Sequence, residues 1–298
     1  MDLAERRILL LGKVGQLGWE LQRALATLGQ VQALDYPEIN LVDSESLRPL
    51  IRAVRPQVIV NATAYTAVDR AEAEPQLAMA INARAPGVMA EEAAQVGAAL
   101  LHFSTDYVFD GAKGSDYIEA DRSNPLGVYG RSKLAGEQTI QDVGGVYLIL
   151  RTSWVYSLRR DSFVNKVLEW SRSQPTLRIV SDQVSNPTWC RLLAEACGQL
   201  LALAGADPMT WLGERHGLYH LAGSGKASRL EWARAILAND PRREEQVVKE
   251  LLPAKTSDFP TPAQRPLHSA LNCDRFERTF NLRLPDWEDA LRLAMASG

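Results

Sequence analysis

Three glycines, Gly12, Gly15 and Gly18, directly follow an apolar run at residues 8–11 and form the first candidate for chemistry. An apolar run bounded by glycine predicts a strand buried on both faces of a parallel sheet. Glycine permits a tight turn, lets the backbone approach a pyrophosphate and lets the next helix, expected at residues 19–28, pack against the strand. Free N–H groups and the positive dipole at that helix start would hold phosphates. An ordinary glycine turn of an α/β protein would show the same spacing.

Tyr129 and Lys133 stand one helical turn apart and form the second candidate. Side chains at i and i+4 lie on one face of a helix. A free tyrosine has a pKa of about 10, so we expect the nearby ammonium to lower the pKa of Tyr129 and make it a proton relay. The segment 104–106, at a predicted strand end, supplies a hydroxyl donor for a carbonyl oxygen. A surface tyrosine beside a solvated lysine would give the same spacing.

A carboxylate, Asp35, follows the next predicted strand, at residues 31–34. It stands about 20 residues past the glycines, where a carboxylate hydrogen-bonds the ribose diol of an adenosine in nucleotide-binding folds. The alternative is an ordinary loop acid before Pro37.

The elements around these motifs alternate between strands and helices. Further strands are predicted at 57–60, 99–103 and 146–150, and residues 72–97 are expected to be helical with a break near Pro86. Polar clusters follow the strands, at the edge where ligands bind in open α/β sheets. The pattern predicts an α/β fold with a doubly wound parallel sheet of Rossmann type over residues 1–155.

The second half of the chain is organised differently. A helix is predicted at residues 187–204 and a strand at 218–221, so we expect the segment 187–222 to return to the sheet. Proline-rich connections and short helices occupy much of the rest. Residues 156–298 are expected to form mainly a smaller, loop-rich C-terminal domain, with a cleft for a ligand larger than a cofactor.

Composition and charge limit the classes of partner. The 298 residues carry a net charge of −3 with acids and bases interspersed, which indicates neither nucleic acid nor an anionic membrane as partner. No apolar stretch could span a bilayer, and the charged N-terminus lacks a signal-peptide core. Cys190, Cys197 and Cys273 have no metal spacing and suit a reducing cytoplasm. His216 and His220 are four residues apart, but on the predicted strand this spacing makes no metal pair.

Together these segments resemble the extended short-chain dehydrogenase/reductases, and more closely the dTDP-4-dehydrorhamnose reductases. The resemblance covers essentially the whole chain. It is carried by residues 12–18, 61–69, 104–111, 129–137 and 151–156, and further on by 182–183, 187–188, 261–266 and Ser269. The segments STDYVFDG and PTPAQRP are not generic to the superfamily.

The resemblance implies NAD(P)H-dependent reduction of the 4-keto group of dTDP-4-dehydro-L-rhamnose (dTDP-6-deoxy-L-lyxo-4-hexulose). The product would be dTDP-L-rhamnose, in the last step of making this sugar donor for bacterial cell-surface polysaccharide. In catalysis, Tyr129 would protonate the C4 oxygen as hydride arrives, and Thr105 would hydrogen-bond that oxygen. Lys133 would bind the nicotinamide ribose and tune Tyr129.

The resemblance also implies two sets of binding residues. Around the cofactor we expect Gly12, Gly15, Gln16, Leu17, Gly18, Asp35, Ala64, Tyr65, Thr66, Tyr129 and Lys133. Around the sugar nucleotide we expect Thr105, Asp106, Trp154, Gln183 and Arg265. Asn82 is expected to be a buried structural amide that steadies the site.

Two features leave the choice of cofactor and the oligomeric state open. Family members can use a Mg²⁺ ion held by glutamates to join two subunits, outside the chemistry; Glu20 is available at one such position, but Arg191 stands at another. No catalytic metal is expected, and the chain should be a monomer or a weak homodimer. Asp35 favours a free ribose 2′-hydroxyl whereas Lys13 could reach a 2′-phosphate, so either NADPH or NADH is expected.

Other functions stay open at this stage. A reductase of another nucleotide-linked 4-keto sugar would have the same motifs, because specificity rests on a few pocket contacts. A non-catalytic regulatory subunit of this fold, such as a methionine adenosyltransferase partner, is disfavoured by the intact Thr105, Tyr129 and Lys133. Dehydratases usually carry an acidic pair after the active-site threonine, whereas here Asp106 is followed by Tyr107.

Overall fold

The structure, a computed structural model, describes residues 6–296, so most of the charged N-terminus lies outside the described residues. The strands are β1 (Arg7–Leu11), β2 (Gln30–Leu34), β3 (Val58–Asn61), β4 (Ala99–Thr105), β5 (Tyr147–Thr152), β6 (Val155–Tyr156), β7 (Thr176–Val180), β8 (Val184–Ser185), β9 (Thr188–Trp189), β10 (Gly217–His220), β11 (Ala227–Ser228) and β12 (Glu250–Ala254). The helices are α1 (Gln16–Leu25), α2 (Leu47–Val54), α3 (Val68–Ala71), α4 (Pro75–Met79), α5 (Ala85–Val96), α6 (Val128–Val143), α7 (Phe163–Ser173), α8 (Cys190–Leu203), α9 (Pro208–Gly213), α10 (Arg229–Ala238), α11 (Asp274–Phe280) and α12 (Trp287–Ala296).

A parallel sheet organises the first half of the chain. Six strands pair in the order β10-β5-β4-β3-β1-β2, and each pairing is parallel. The order reverses beside β1, which pairs with both β2 and β3. Ligands bind outside the carboxyl ends of strands at such a reversal. The predicted doubly wound α/β fold is confirmed.

Helices cover both faces of this sheet, which explains the continuous apolar runs of the strands. Ile8 and Leu10 of β1 belong to a buried cluster shared with α1 and α8. Leu9 and Leu11, which point to the other face, belong to a cluster shared with α2 and α5. A third cluster, built by α7, α10 and α12, lies in the second half of the chain.

Several predicted boundaries differ from the structure. Helix α1 covers residues 16–25 rather than 19–28, and α8 begins at Cys190 rather than at residue 187, since residues 188–189 form β9. The break expected near Pro86 lies just before it, as a π-helical turn over residues 80–84. Proline lacks the N–H that would bond the carbonyl of Asn82, so the α-helical pattern is not kept there.

The predicted strand at 218–221 is present as β10 and pairs with β5 at the edge of the sheet. The second half of the chain thus contributes to the sheet as well as to its own core. The division of the chain at residue 155 into two domains stays a prediction. Within residues 6–296, no helix is long and apolar enough to cross a membrane.

Candidate active site

A cavity of about 500 Å³ lies at the carboxyl ends of β1, β3, β4 and β5. It brings together ten of the residues expected from the sequence: Gly15, Gln16, Leu17, Ala64, Thr66, Thr105, Asp106, Tyr129, Lys133 and Trp154. They come from five separate stretches of the chain. The arrangement places the glycine turn and the tyrosine–lysine pair around one space, which we call the first cavity.

The glycine turn is shaped by contacts that leave no room for side chains. A Cβ on Gly18 would lie 1.8 Å from the carbonyl oxygen of Gly12, and Gly12 itself has a φ of +97°. Gly12 and Gly18 therefore build the turn, whereas Gly15 lines the first cavity. The N-cap Gly15 gives no side-chain cap to the first N–H groups of α1. Such a cradle fits a pyrophosphate.

Asp35 and Lys13 lie beside this turn but do not line the first cavity. The Asp35 carboxylate accepts hydrogen bonds from the N–H groups of Val14 (2.9 Å) and Tyr36 (2.8 Å). Lys13 Nζ pairs with a carboxylate oxygen of Glu38 at 2.5 Å. Both candidate ribose contacts thus have partners within the chain, and their roles stay predictions.

Asn82 connects the end of β3 to the start of α6. Its buried amide accepts a hydrogen bond from the N–H of Tyr65 (2.8 Å) and donates to the Tyr65 carbonyl and to Ser132 Oγ. Ser132 in turn donates to the carbonyl of Tyr129. These bonds agree with the expected structural role. The Tyr65 hydroxyl donates to Glu74, so its side chain does not line the first cavity.

Tyr129 sits in the first turn of α6, where its surroundings fix it tightly. The N–H of Val128 donates to Glu72 at 2.7 Å, and a Cβ on Gly130 would lie 2.2 Å from the carbonyl oxygen of Tyr107. The rings of Tyr107 and Tyr129 pack edge to face at 5.6 Å. The hydroxyl of Thr105 lies beside the phenol of Tyr129, and both line the first cavity.

The pKa of Tyr129 does not move as the sequence suggested. Burial raises the pKa of Tyr129 above its ordinary value, and the neighbouring Thr105 hydroxyl opposes this shift. The expectation that Lys133 lowers this pKa is wrong for the residues of the chain alone, because the effect of burial dominates. Lys133 Nζ donates to the carbonyl of Phe103 at 2.6 Å. Burial keeps Tyr129 a neutral phenol, with a proton to donate.

Lys133 ends a buried polar chain that sequence reasoning missed. Its Nζ lies 3.3 Å from His102 Nε2, and His102 Nδ1 lies 2.9 Å from Asn61 Nδ2. The N–H and hydroxyl of Thr63 both donate to Asn61 Oδ1, which orients the amide so that its NH₂ donates to His102. The histidine proton then resides on Nε2, facing Lys133.

This tautomer favours an uncharged Lys133. An N–H dipole pointing at an ammonium is unfavourable, and burial lowers the pKa of Lys133 to about 8. Burial also holds the pKa of His102 well below its ordinary value, so the ring is neutral. The signal for His102 was present in the sequence, since it is a single polar residue within the apolar run of β4 and would need a partner.

A buried ion pair fixes α6 against the sheet. Arg151 of β5 donates twice to Glu137 of α6, at 2.9 and 2.6 Å. Ser104 of β4 donates to the same carboxylate. Because Glu137 lies one turn after Lys133, this contact holds the face of α6 that carries Tyr129 and Lys133.

Asp106 joins β4 to the second half of the chain. Its buried carboxylate accepts hydrogen bonds from the hydroxyls of Ser269, Ser185 and Thr105. No arginine or lysine pairs with it in the described part of the chain, and burial raises its pKa to about 6. Asp106 lines the first cavity, so it can meet a ligand there as well as tie the segments together.

Gln183 and Arg265 do not line the first cavity; they line a neighbouring second cavity of about 440 Å³. Its walls include aromatic rings, among them Phe163 and Phe259. Gln183 donates to Thr256 Oγ1 at 3.2 Å. Arg265 donates to both carboxylate oxygens of Asp69, at 3.0 and 2.7 Å. The sugar-nucleotide residues expected from the resemblance are thus divided between two adjoining spaces.

Trp154 lines the first cavity. It has a φ of +38°, a conformation rare for a non-glycine residue and often found at functional sites. Its ring stacks on Trp232, with centroids 5.5 Å apart, and the guanidinium of Arg229 lies 3.6 Å from its centroid on the ring face. Arg229 was not predicted, and it belongs to none of the motifs.

The residues at the expected Mg²⁺ position do not fit a divalent cation. Arg23, Arg159 and Arg191 surround Glu20, and Arg191 pairs with Glu195 at 2.9 Å. A second cation is unfavourable in such a setting. Within residues 6–296, no three His, Cys, Asp or Glu side chains converge to hold a metal.

The remaining histidines and cysteines have structural surroundings. His220 is buried in β10 with Nδ1 at 3.1 Å from the carbonyl oxygen of Tyr117, and His216 packs edge-on against Tyr147. The three cysteines are unpaired thiols: Cys190, Cys197 and Cys273.

Comparison with known proteins agrees with this geometry. The family described as "RmlD substrate binding domain" matches residues 6–297. A dTDP-4-dehydrorhamnose reductase of Burkholderia thailandensis is 40% identical over 296 residues, covering 97% of this chain and 98% of the relative. The enzyme of the same name from Escherichia coli K12 is 40% identical, with 94% of each chain covered.

A solved structure shows the same likeness. The dTDP-4-dehydrorhamnose reductase of Bacillus anthracis, in complex with NADP, superposes with a TM-score of 0.89 at 29% identity. The superposition covers 99% of this chain and 100% of that one. With a family match over nearly every residue and relatives at 40% identity along their full length, the chain belongs to the dTDP-4-dehydrorhamnose reductase family.

Proposed function

We propose that this protein uses NADPH or NADH to reduce the 4-keto group of dTDP-4-dehydro-L-rhamnose to dTDP-L-rhamnose. The observation that carries the proposal is the meeting of Thr105, Tyr129 and Lys133 with the glycine turn around the first cavity, in a chain of this family. A hydroxyl pair and a buried amine beside a phosphate cradle are the groups that ketone reduction by a nicotinamide needs.

Tyr129 is the proton donor in this proposal. When bound, the nicotinamide supplies hydride to the C4 carbon of the sugar. Tyr129, kept neutral by burial, gives its proton to the C4 oxygen, while Thr105 donates a hydrogen bond to that oxygen. Both hydroxyls line the first cavity before substrate binds, and the Thr105 hydroxyl turns from Asp106 to the C4 oxygen when the sugar is bound.

Lys133 can exchange a proton near neutral pH. Its Nζ is fixed by the Phe103 carbonyl and faces His102, and its pKa of about 8 lets it hold or release a proton at physiological pH. We assign it to the nicotinamide ribose, between the cofactor and Tyr129. His102 and Asn61 act through Lys133 and are positioning residues.

The two cavities suit the two ends of a nucleotide-linked sugar. The hexose would lie in the first cavity, against Trp154 and the carboxylate of Asp106. The thymine and its deoxyribose would occupy the second cavity, between aromatic rings and the polar groups of Gln183 and Arg265. This division explains why the expected substrate residues do not share one space.

The test is turnover of enzymatically prepared dTDP-4-dehydro-L-rhamnose with NADPH and with NADH, with the product identified by NMR. We expect dTDP-L-rhamnose as the product. A product with the other configuration at C4, or turnover only with a different nucleotide-linked 4-keto sugar, would overturn the substrate assignment. Absence of any reductase activity, with binding to a second protein instead, would support a regulatory role.

We also propose a monomer or a weak homodimer that acts in the cytoplasm without a catalytic metal. The basic surroundings of Glu20 and the free thiols support this proposal. Sedimentation with and without EDTA, beside an activity assay, tests it. Loss of turnover on chelation would contradict the metal-free reaction, and a dimer that dissociates would contradict the interpretation of Arg191.

A further inference from the structure

Arg229 lies where the two cavities adjoin. Among residues 6–296, it is the one residue that lines both of them. It is the first residue of α10, and its backbone N–H donates to the carbonyl of Gln183 at 3.2 Å. Its position is therefore fixed by the backbone as well as by packing.

The guanidinium of Arg229 contacts aromatic faces and no acceptor in the described part of the chain. It lies 3.6 Å from the ring centroid of Trp154 and 4.9 Å from that of Phe163, and it makes no ion pair or side-chain hydrogen bond there. Burial lowers its pKa to about 10, which still leaves it charged at neutral pH. The side chain is half-buried, and a guanidinium whose five N–H donors have no protein acceptor among the described residues can bind an anionic ligand.

The neighbouring arginines are already paired. Of the three arginines that line the second cavity, Arg265 donates to Asp69 and Arg178 donates to Asp258 at 2.8 Å. Arg229 is the exception among them. It is the cation of this cavity whose donors are available to a ligand.

Local helix stability does not explain an arginine at this position. The positive end of the helix dipole disfavours a cation in the first turn. The start of α10 is already capped by Ser228 and Glu231, which form a reciprocal capping box. The residue thus opposes the local preference, as functional residues often do.

The order of groups in the proposed substrate identifies the ligand. A hexose in the first cavity and a nucleoside in the second leave the diphosphate between them, beside Arg229. We propose that Arg229 binds the diphosphate of the sugar nucleotide and thereby sets the register of the hexose against Tyr129. A planar guanidinium can donate two parallel hydrogen bonds to phosphate oxygens. This inference rests on the proposed function, since it uses the same substrate.

The experiment measures the binding of dTDP, thymidine and NADPH by calorimetry to the wild-type chain and to Arg229→Met. Methionine keeps much of the side-chain stem and its packing but removes the charge. We expect the Kd of dTDP to rise about 10- to 100-fold, as for loss of hydrogen bonds to a charged group. The Kd values of thymidine and NADPH should stay within about twofold. Arg234→Met, on the exposed side of the same helix, is the control and should leave all three unchanged.

Arg229→Lys separates charge from geometry and decides the question if the methionine variant does not fold. Lysine keeps the charge but lacks the two parallel N–H donors of the guanidinium, so dTDP affinity should fall several-fold. The inference would be overturned if dTDP affinity were unchanged in the folded variants, or if the affinities for dTDP and thymidine fell equally. Arg229 would then only pack against Trp154. A wild-type chain that binds no dTDP and reduces no 4-keto sugar nucleotide would overturn the proposed function too. Wild-type binding and turnover with an unaffected variant would overturn the Arg229 inference alone.

Discussion

The two cavities are built in different ways. The first lies at the ends of four neighbouring strands, and its shape is set by backbone contacts such as the approach of Gly18 to Gly12. The second is closed by side-chain bonds between distant segments, such as Arg265 to Asp69 and Gln183 to Thr256. Adjacent parallel strands hold the first in place, whereas the second combines strand β7 and aromatic side chains with polar pairs between distant segments.

This difference separates the expected effects of substitution. A change in the backbone of the first cavity disturbs the sheet edge. It should lower the free energy of unfolding, the affinity for the cofactor and the turnover together. The Arg265–Asp69 pair is partly exposed, and such pairs contribute about 1 kcal/mol or less. Substitutions in the second cavity should therefore weaken binding of the sugar nucleotide selectively.

The largest effect should come from Tyr129→Phe. The variant keeps the buried ring and its packing on Tyr107 but loses the proton donor. We expect kcat to fall about 10²- to 10⁴-fold with the Kd of NADPH little changed. Steady-state kinetics and cofactor fluorescence titration measure the two quantities. Near-normal turnover would show that another group protonates the C4 oxygen.

Gly18→Ala should have the next largest effect, because its Cβ would lie 1.8 Å from the carbonyl oxygen of Gly12. The turn must shift, so we expect the free energy of unfolding to fall by about 1–3 kcal/mol and NADPH binding to be lost. Urea unfolding and calorimetry provide the measurements.

Gly15→Ala is the matched control for Gly18→Ala. A Cβ there would lie 3.4 Å from the same oxygen, and φ is −64°, so the fold should keep its stability within about 0.5 kcal/mol. Since Gly15 lines the first cavity, NADPH binding should still weaken. Equal stability losses in the two variants would contradict the view that Gly18, and not Gly15, builds the turn.

The different construction also decides what the sequence could reveal. Residues of the glycine turn and the tyrosine–lysine pair are close in sequence, and a strand or helix converts their spacing directly into geometry. The parallel sheet and the first cavity could therefore be predicted, as could the presence of Thr105 and Tyr129 in one site.

Features that depend on distant contacts could not be predicted in this way. The partners of Asp106 come from residues 185 and 269, and the availability of Arg229 depends on which acceptors fold near it. The pKa of Tyr129 could not be predicted for the same reason, since spacing places Lys133 nearby but does not show how deeply the phenol is buried. Periodicity locates helices but does not describe what surrounds their side chains.

Asp106 joins β4 to the second half of the chain, and its titration should be visible in the free energy of unfolding. Burial raises its pKa from 3.8 to about 6 in the folded chain, so between these values the folded state holds a proton that the unfolded state has released. The stability from this group is complete below pH 3.8 and is lost as the pH rises through 6. From pH 5 to pH 7 the loss should be about 1 kcal/mol.

Asp106→Asn should remove this pH dependence, because the amide does not titrate. Urea unfolding of both chains at several pH values measures the difference. Parallel pH profiles of the wild-type chain and the variant would mean that Asp106 stays ionised throughout, and the raised pKa would be incorrect.

Asp69→Ala tests the selectivity of the second cavity. The substitution removes the ion pair of Arg265, which keeps its bonds to the segment 261–263, so we expect KM for the sugar nucleotide to rise about fivefold. KM for NADPH should not change. Glu214→Ala, which breaks a surface pair with Arg215, is the control and should change neither constant. An equal rise in both KM values would contradict the separation of the two cavities.

The smallest effects should appear in the choice of cofactor. We expect NADH and NADPH to be accepted within about an order of magnitude in kcat/KM, since exposed charges contribute about 1 kcal/mol or less. Lys13→Ala should lower kcat/KM for NADPH alone, about two- to fivefold, and Glu38→Gln should raise it by releasing Lys13 from its ion pair.

Asp35→Ala should lower kcat/KM for NADH alone. Asp35→Asn keeps an acceptor for the Val14 N–H, so this variant separates ribose binding from support of the turn. Strict use of NADPH together with a neutral Asp35→Ala would mean that Asp35 supports the glycine turn and does not face the ribose.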